Sequence, residues 1–191
     1  PGQYGYQSWP EDYWKTGGGA NAWAGLSVDE KRGIVFAPTG SATPDFDGST
    51  RHGSNLFANT ILALDATTGK RVWHYQTVHH DLWDYDMPNP VVLYDANYNG
   101  VKRKALAAAH KTGWLYILDR KTGEPLIGIE ERPVPQEPKQ ATSPTQPYPI
   151  GESFSPQFVK EPMDGIPLIN QGRIFTPFLT DPVVIKPGSG G

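Results

Sequence analysis

The stretch richest in reactive groups is His79-His80-Asp81-Leu82-Trp83-Asp84-Tyr85-Asp86. A carboxylate set among aromatic rings is partly desolvated, which makes it a better proton acceptor, so this stretch has the makings of a general base. Neighbouring carboxylates and imidazoles also form a donor set for a hard cation. The plainer alternative makes the aspartates turn caps and the histidines a solvated face. Met87-Pro88 follows at once and places the stretch in a loop. Loops carried on a rigid scaffold are where binding and catalytic groups concentrate.

The scaffold is announced by a unit that occurs three times: an apolar run, an aspartate, a turn, a glycine four residues after the aspartate, and a second apolar run. The copies are Leu26-Ser27-Val28-Asp29 to Gly33-Ile34-Val35-Phe36, Leu62-Ala63-Leu64-Asp65 to Gly69-Lys70-Arg71-Val72-Trp73, and Tyr116-Ile117-Leu118-Asp119 to Gly123-Glu124-Pro125-Leu126-Ile127. Each predicts a β-hairpin. The aspartate can accept the turn's own amide hydrogens, and the glycine can take the positive φ that closes the turn. The uneven spacing of the copies brackets the roughly 40–50 residues of a propeller blade. A β-propeller of four-stranded antiparallel blades is therefore expected, with a β-sandwich of similar hairpins as the competitor.

Composition agrees with an all-β chain. The 191 residues hold 21 glycines, 19 prolines and 12% aromatics, a balance that favours short strands and tight turns over long helices. The formal net charge is −3, with 17 basic and 20 acidic residues interspersed, so there is no electrostatic footprint for nucleic acid. No apolar run approaches the roughly 20 residues of a spanning helix. The first residues, Pro1-Gly2-Gln3-Tyr4-Gly5, do not read as an export signal. With no cysteine, disulfides, thiolate metal sites and a cysteine nucleophile are all excluded.

Lys102 to Ala109 has helix-forming residues but lacks an N-cap and runs into the β-rich Trp114-Leu115-Tyr116-Ile117-Leu118, so a strand is expected there. The hairpin repeats occupy about 17–131. From about 132 to 168 recurrent prolines forbid a central strand and predict one long loop, ordered by Tyr148, Phe154 and Phe158. A terminal strand region follows at about 169–191, around Gly172-Arg173-Ile174-Phe175-Thr176-Pro177. At roughly 40–45 residues per blade this amounts to a partial arc of about three blades. Since an open arc leaves strand edges unpaired, the chain is expected to be part of a longer propeller or to pair with other copies of itself.

Several segments, taken in order, resemble one family. They are Gly17-Gly18-Gly19-Ala20-Asn21-Ala22-Trp23, Val35 to Asp45 with its Pro38-Thr39-Gly40-Ser41, Asn55 to Asp65, Trp73-His74-Tyr75-Gln76-Thr77 leading into the Asp84 loop, and Ala109-His110-Lys111-Thr112-Gly113. Together they look like the middle of the dehydrogenases of alcohols and aldoses that depend on pyrroloquinoline quinone (PQQ), which are built on an eight-bladed propeller. The resemblance is closest from about residue 17 to 119 and loosest in the proline-rich stretch.

The resemblance implies a site. Asp84 matches the family's catalytic carboxylate, which takes the substrate hydroxyl proton while hydride passes to the quinone. Lys111 matches the cation that hydrogen-bonds the reacting quinone oxygens, and Trp23 the indole on which the cofactor stacks. Ser41 falls where many members have an asparagine ligand to calcium. Asp86 resembles the extra acid of lanthanide-using members, so the implied metal ligands are Ser41, Asp84 and Asp86, with Ca2+ the default ion and a lanthanide the alternative. The implied partners are a hydroxyl substrate (alcohol, polyol or sugar), an electron acceptor (ubiquinone or a cytochrome) and the remaining blades. The implied location is periplasmic, with any membrane attachment made elsewhere. Opposed to this stands a non-catalytic propeller scaffold or an inactive fragment of such an enzyme.

Overall fold

The computed structural model describes residues 2–158 and 173–177. Strands β1 (Ser27–Asp29), β2 (Ile34–Pro38), β3 (Thr60–Asp65) and β4 (Arg71–Gln76) form a four-stranded antiparallel sheet in chain order. A second sheet holds β5 (Val92–Tyr98), β6 (Val101–Ala109) and β7 (Leu115–Asp119), and a third pairs β8 (Ile129–Pro133) with β9 (Thr145–Pro149). The chain is all-β, a partial arc of antiparallel sheets. Lys102–Ala109 is strand, as its flanks predict.

The three aspartate-glycine turns form as their chemistry requires. Asp65 Oδ1 accepts the amides of Thr67 and Thr68 at 3.1 and 2.7 Å, and Asp119 Oδ1 accepts those of Lys121 and Thr122 at 2.9 and 3.3 Å. Gly33, Gly69 and Gly123 have φ of 64, 68 and 76°, the left-handed region that favours glycine. Their distribution differs from a one-hairpin-per-blade pattern. The first two hairpins are the halves of one sheet, joined through β2 and β3, and the third lies in the next. There the strand after Gly123 is reduced to a bridge between Leu118 and Pro125.

The first two sheets meet across a shared core. Ile34, Phe36, Ile61, Ala63 and Trp73 pack with Leu106, Ala108, Trp114, Tyr116 and Leu118. Removing this apolar surface from water is the main force holding sheet to sheet. Trp73 also fixes their register. Its Nε1 donates to the Arg120 carbonyl at 3.2 Å, and its ring lies so close over Gly123 that a Cβ there would stand 2.6 Å away. Glycine is thus required at the third turn on two counts, backbone angle and space.

The proline-rich stretch is not one loop. Arg132 pairs with Gln146, and Glu131 with Pro147, in the β8–β9 hairpin, and a short 3-10 turn spans Pro138–Gln140. Both strands of a two-stranded sheet are edges, so a missing proline N–H can face outward without breaking a ladder. Of the three aromatics expected to order this segment, Tyr148 does so by packing edge-on to Trp114 and Phe175; Phe154 and Phe158 are exposed. In the expected terminal strand region Arg173 bridges Phe158 and Phe175 is buried; residues 169–172 and 178–191 lie outside the described residues.

Candidate functional site

Four separate segments converge beside the end of β2. The chain leaves β2 through Thr39, Gly40 and Ser41, and the glycine-rich stretch lies alongside, with Ala20 N–H donating to the Ser41 carbonyl at 2.7 Å and Thr43 N–H to that of Gly18 at 3.1 Å. This brings Trp23 to the site. Gly40 is sterically required: a Cβ there would stand 2.5 Å from Asp86 Oδ1 and 3.0 Å from Trp23 Nε1. Lys111 arrives from the second sheet on the tight turn after β6, where Gly113 has φ of 80° and donates to the His110 carbonyl at 2.9 Å.

All five residues singled out by the resemblance meet here. Lys111 Nζ lies 3.1 Å from Asp84 Oδ2, 2.9 Å from Asp86 Oδ2 and 6.0 Å from the centroid of the Trp23 ring. Ser41 Oγ is 3.4 Å from Asp84 Oδ1 and donates to Asp45 Oδ1 at 2.8 Å, and its amide donates to Asp86 Oδ1. Both carboxylates are engaged on each oxygen, but the Asp84 side chain is 37% exposed against 12% for Asp86, and Trp23 has 53% of its surface exposed.

The electrostatics follow. Burial works against the Lys111 ammonium, but Asp86 and Asp84 outweigh it and hold the lysine above its ordinary range. Burial likewise opposes the Asp86 charge, and Lys111 and the Ser41 amide more than compensate, leaving that carboxyl below its usual value. His110, fully enclosed behind Lys111, is pushed down to about 3 by burial and stays neutral. The site is thus a fixed cation with one partly exposed carboxylate and one open aromatic face.

The two histidines of the reactive loop do not join it. His80 is buried with its ring nitrogens 2.8 Å from the Gly53 carbonyl and 2.7 Å from that of Gln140, and His79 faces Gln76 and Glu131 at 2.9 and 3.0 Å. Among the described residues no group of three or more histidine and acidic side chains forms a cage for a metal. Any cation here would draw instead on a hydroxyl and carboxylate oxygens, a donor set suited to calcium-like ions.

Sequence reasoning passed over the residues that hold this loop in place. Gln146 of β9 clamps the peptide of His79, accepting its amide at 2.8 Å and donating to its carbonyl at 2.7 Å, and Gln140 accepts the Gly48 amide at 2.7 Å. Glutamines in a proline-rich segment carry no spacing signal that would have marked them.

Comparison with known proteins places these features in context. A profile described as "PQQ: Glucose/ethanol/alcohol dehydrogenase, beta-propeller domain" matches residues 1–191. The quinoprotein glucose dehydrogenase of Escherichia coli (strain K12) is 45% identical over 131 residues, which is 67% of this chain and 16% of that protein. The quinate/shikimate dehydrogenase (quinone) of Acinetobacter baylyi is 38% identical over 162 residues, covering 83% and 19%. Among solved structures, quinohemoprotein alcohol dehydrogenase ADHIIG from Pseudomonas putida HK5 matches with a TM-score of 0.60 at 32% identity, over 69% of this chain and 20% of that one. A europium-containing methanol dehydrogenase matches at 0.59 and 30%, over 75% and 25%. The chain thus spans less than a fifth of the length of these two curated relatives.

Proposed function

This chain belongs to the PQQ-dependent dehydrogenase β-propeller family, and from that premise we propose that it carries the proton-accepting half of the site of an enzyme that oxidises a hydroxyl substrate, an alcohol, polyol or sugar. The observation that carries the reading is the convergence of Trp23, Asp84 and Lys111 from three separate segments onto one exposed patch. A scaffold has no need of an open aromatic face, a carboxylate and a fixed cation at one point.

The residues present fit the cofactor. The exposed Trp23 face offers a stacking surface for a flat ring, and Gly40, lacking a side chain, lets Asp86 and the Trp23 indole pack directly against its backbone. Lys111, held protonated by two carboxylates, presents positive charge where a quinone oxygen would gain electron density. PQQ, when bound, supplies the two-electron oxidant that accepts hydride from the substrate carbon. Asp84 takes the hydroxyl proton on its side chain, and Lys111, at 3.1 Å, keeps that side chain oriented.

For the metal, Ser41 Oγ and Asp84 Oδ1 lie 3.4 Å apart beside Asp45 Oδ1, oxygens close enough to share one cation; Asp86 acts as the anchor that fixes Lys111 and the Ser41 amide. That division favours calcium held by Ser41 and Asp84, with further ligands from outside this chain. Electron transfer onward to a quinone acceptor is supported by the quinate relative, whose name specifies one.

The test is dye reduction by the intact enzyme with PQQ and calcium over a panel of alcohols, polyols and aldoses. Asp84→Asn should lower turnover by about 10³-fold, within the range for loss of a general base, while PQQ still binds. Undiminished turnover in the variant removes Asp84 from its role.

A further inference from the structure

Asp84 has a left-handed backbone, with φ of 60°, a conformation that residues with a side chain rarely adopt. Something must hold it, because a relaxed φ at this residue would swing the carboxylate away from Lys111. The hydrogen bonds of Asp81 supply the hold. Asp81 Oδ1 accepts the Trp83 N–H at 2.9 Å and Oδ2 accepts the Tyr85 N–H at 2.8 Å, the amides of the residues before and after Asp84. Asn59, at the foot of β3, completes the arrangement. One hydrogen of its side-chain amide goes to Asp81 Oδ2 at 2.7 Å and the other to the Tyr85 carbonyl at 2.6 Å.

We propose that Asp81 is a positioning residue that sets the orientation of the Asp84 carboxylate by gripping the amides on both sides of it. The proposal rests on the reading of Asp84 as proton acceptor. Asp81 itself does no chemistry: it is 1% exposed and makes no contact with Lys111.

A turn cap of ordinary kind explains less. Burial opposes an ionised carboxyl at this depth and pushes Asp81 up to about 6. An asparagine would avoid that cost, yet it has one side-chain oxygen and could satisfy only one of the two flanking amides, setting its own N–H groups against the other. Only a carboxylate accepts on both sides. The buried guanidinium of Arg51, which donates to the Asp81 main-chain carbonyl and to Asn55 Oδ1, balances the charge and ties the start of the loop to the turn before β3.

The experiment compares Asp81→Asn, Asp84→Asn and the double variant in the intact enzyme, measuring kcat, KM and PQQ affinity by quenching of tryptophan fluorescence. Asp81→Asn should lower kcat by about 10²-fold, the scale of a group displaced by an ångström, with PQQ affinity unchanged. The double variant should be no slower than Asp84→Asn alone, because Asp81 acts only through Asp84. A fully active Asp81→Asn beside an inactive Asp84→Asn overturns the positioning role alone. An active Asp84→Asn overturns the reading of Asp84 on which it rests. If Asp81→Asn slows the Asp84→Asn enzyme by the same factor, or loses PQQ in step with turnover, the residue is a general support of the fold and the proposal falls. Should Asp81→Asn not fold, Asn59→Ala gives the same reading: about a 10-fold loss, scaled down from the same displacement, absent in the Asp84→Asn background.

Discussion

Two clusters in this molecule share one composition, a basic side chain between two aspartates, in opposite surroundings. Arg120 lies at the seam of the two sheets, its side chain 10% exposed, 3.1 Å from Asp29 and 3.3 Å from Asp95, and it also donates to the carbonyls of Tyr94 and Ala105. Lys111 lies on loops, 32% exposed, with a bare tryptophan face beside it and a left-handed residue as one of its partners. At the seam every donor of the fork that points inward is spent on strands, so the cluster can only hold. Asp95 and Asp84 are about equally exposed, but at the loop end the cation and the Trp23 face also keep open surface, so the cluster can still act. What separates support from chemistry is therefore unspent capacity and the backbone strain tolerated to aim it.

That distinction can be broken or sharpened by substitution. Removing one partner of a buried pair leaves an uncompensated charge, so Arg120→Ala should cost about 3–5 kcal/mol of stability, read from urea unfolding. Lys111→Ala should do the reverse. Its bridges run to the partly exposed Asp84 and to the buried Asp86, which keeps the Ser41 amide as a partner, so the loss of stability should be smaller, about 1–2 kcal/mol, while turnover of the intact enzyme falls by about 10²-fold for want of the cation. A Lys111→Ala protein that unfolds as readily as Arg120→Ala and turns over normally would erase the contrast.

A smaller effect concerns acid. Burial opposes the Asp29 charge, but Arg32 and Arg120 outweigh it and keep the carboxyl below its ordinary value. A folded-state pKa below the unfolded one of about 4 gives stability that is present above that value and lost as pH falls through the folded one. Without Arg120 the lowering weakens, so the stability gap between wild type and Arg120→Ala should narrow between pH 7 and pH 3. A gap unchanged with pH would assign the loss to the packing of the arginine stem instead.

The sequence made the turns legible because an aspartate and a glycine four residues apart determine their own geometry without help from distant residues. Which hairpins share a sheet was not legible. Two copies of one local pattern carry no mark of whether they are halves of one sheet or members of two, and only the pairing of Phe36 with Ala63 decides it. The proline-rich stretch misled for a related reason: prolines forbid a central strand but permit a pair of edges. For the site, the loop's composition favoured turn caps over a base; Asp81 does cap, while Asp84 faces Lys111, where we propose it acts as the base. Lys111, Trp23 and Ser41 were legible only through family resemblance, because nothing in a lysine, an indole or a serine taken singly says that a fold will bring it to an aspartate far along the chain.

The grip of Gln146 on His79, 67 residues earlier in the chain, also sets a timetable. A nascent polypeptide leaves the ribosome N-terminus first, at about 5–20 residues per second, so the first two sheets can pair for some seconds before the clamp is synthesised. Val78, Leu82 and Trp83, buried in the finished protein against Val134 and Phe175, lack that cover in the interval. The reactive loop is thus completed only after the β8–β9 hairpin and Phe175 have been made, later than the two sheets that carry it.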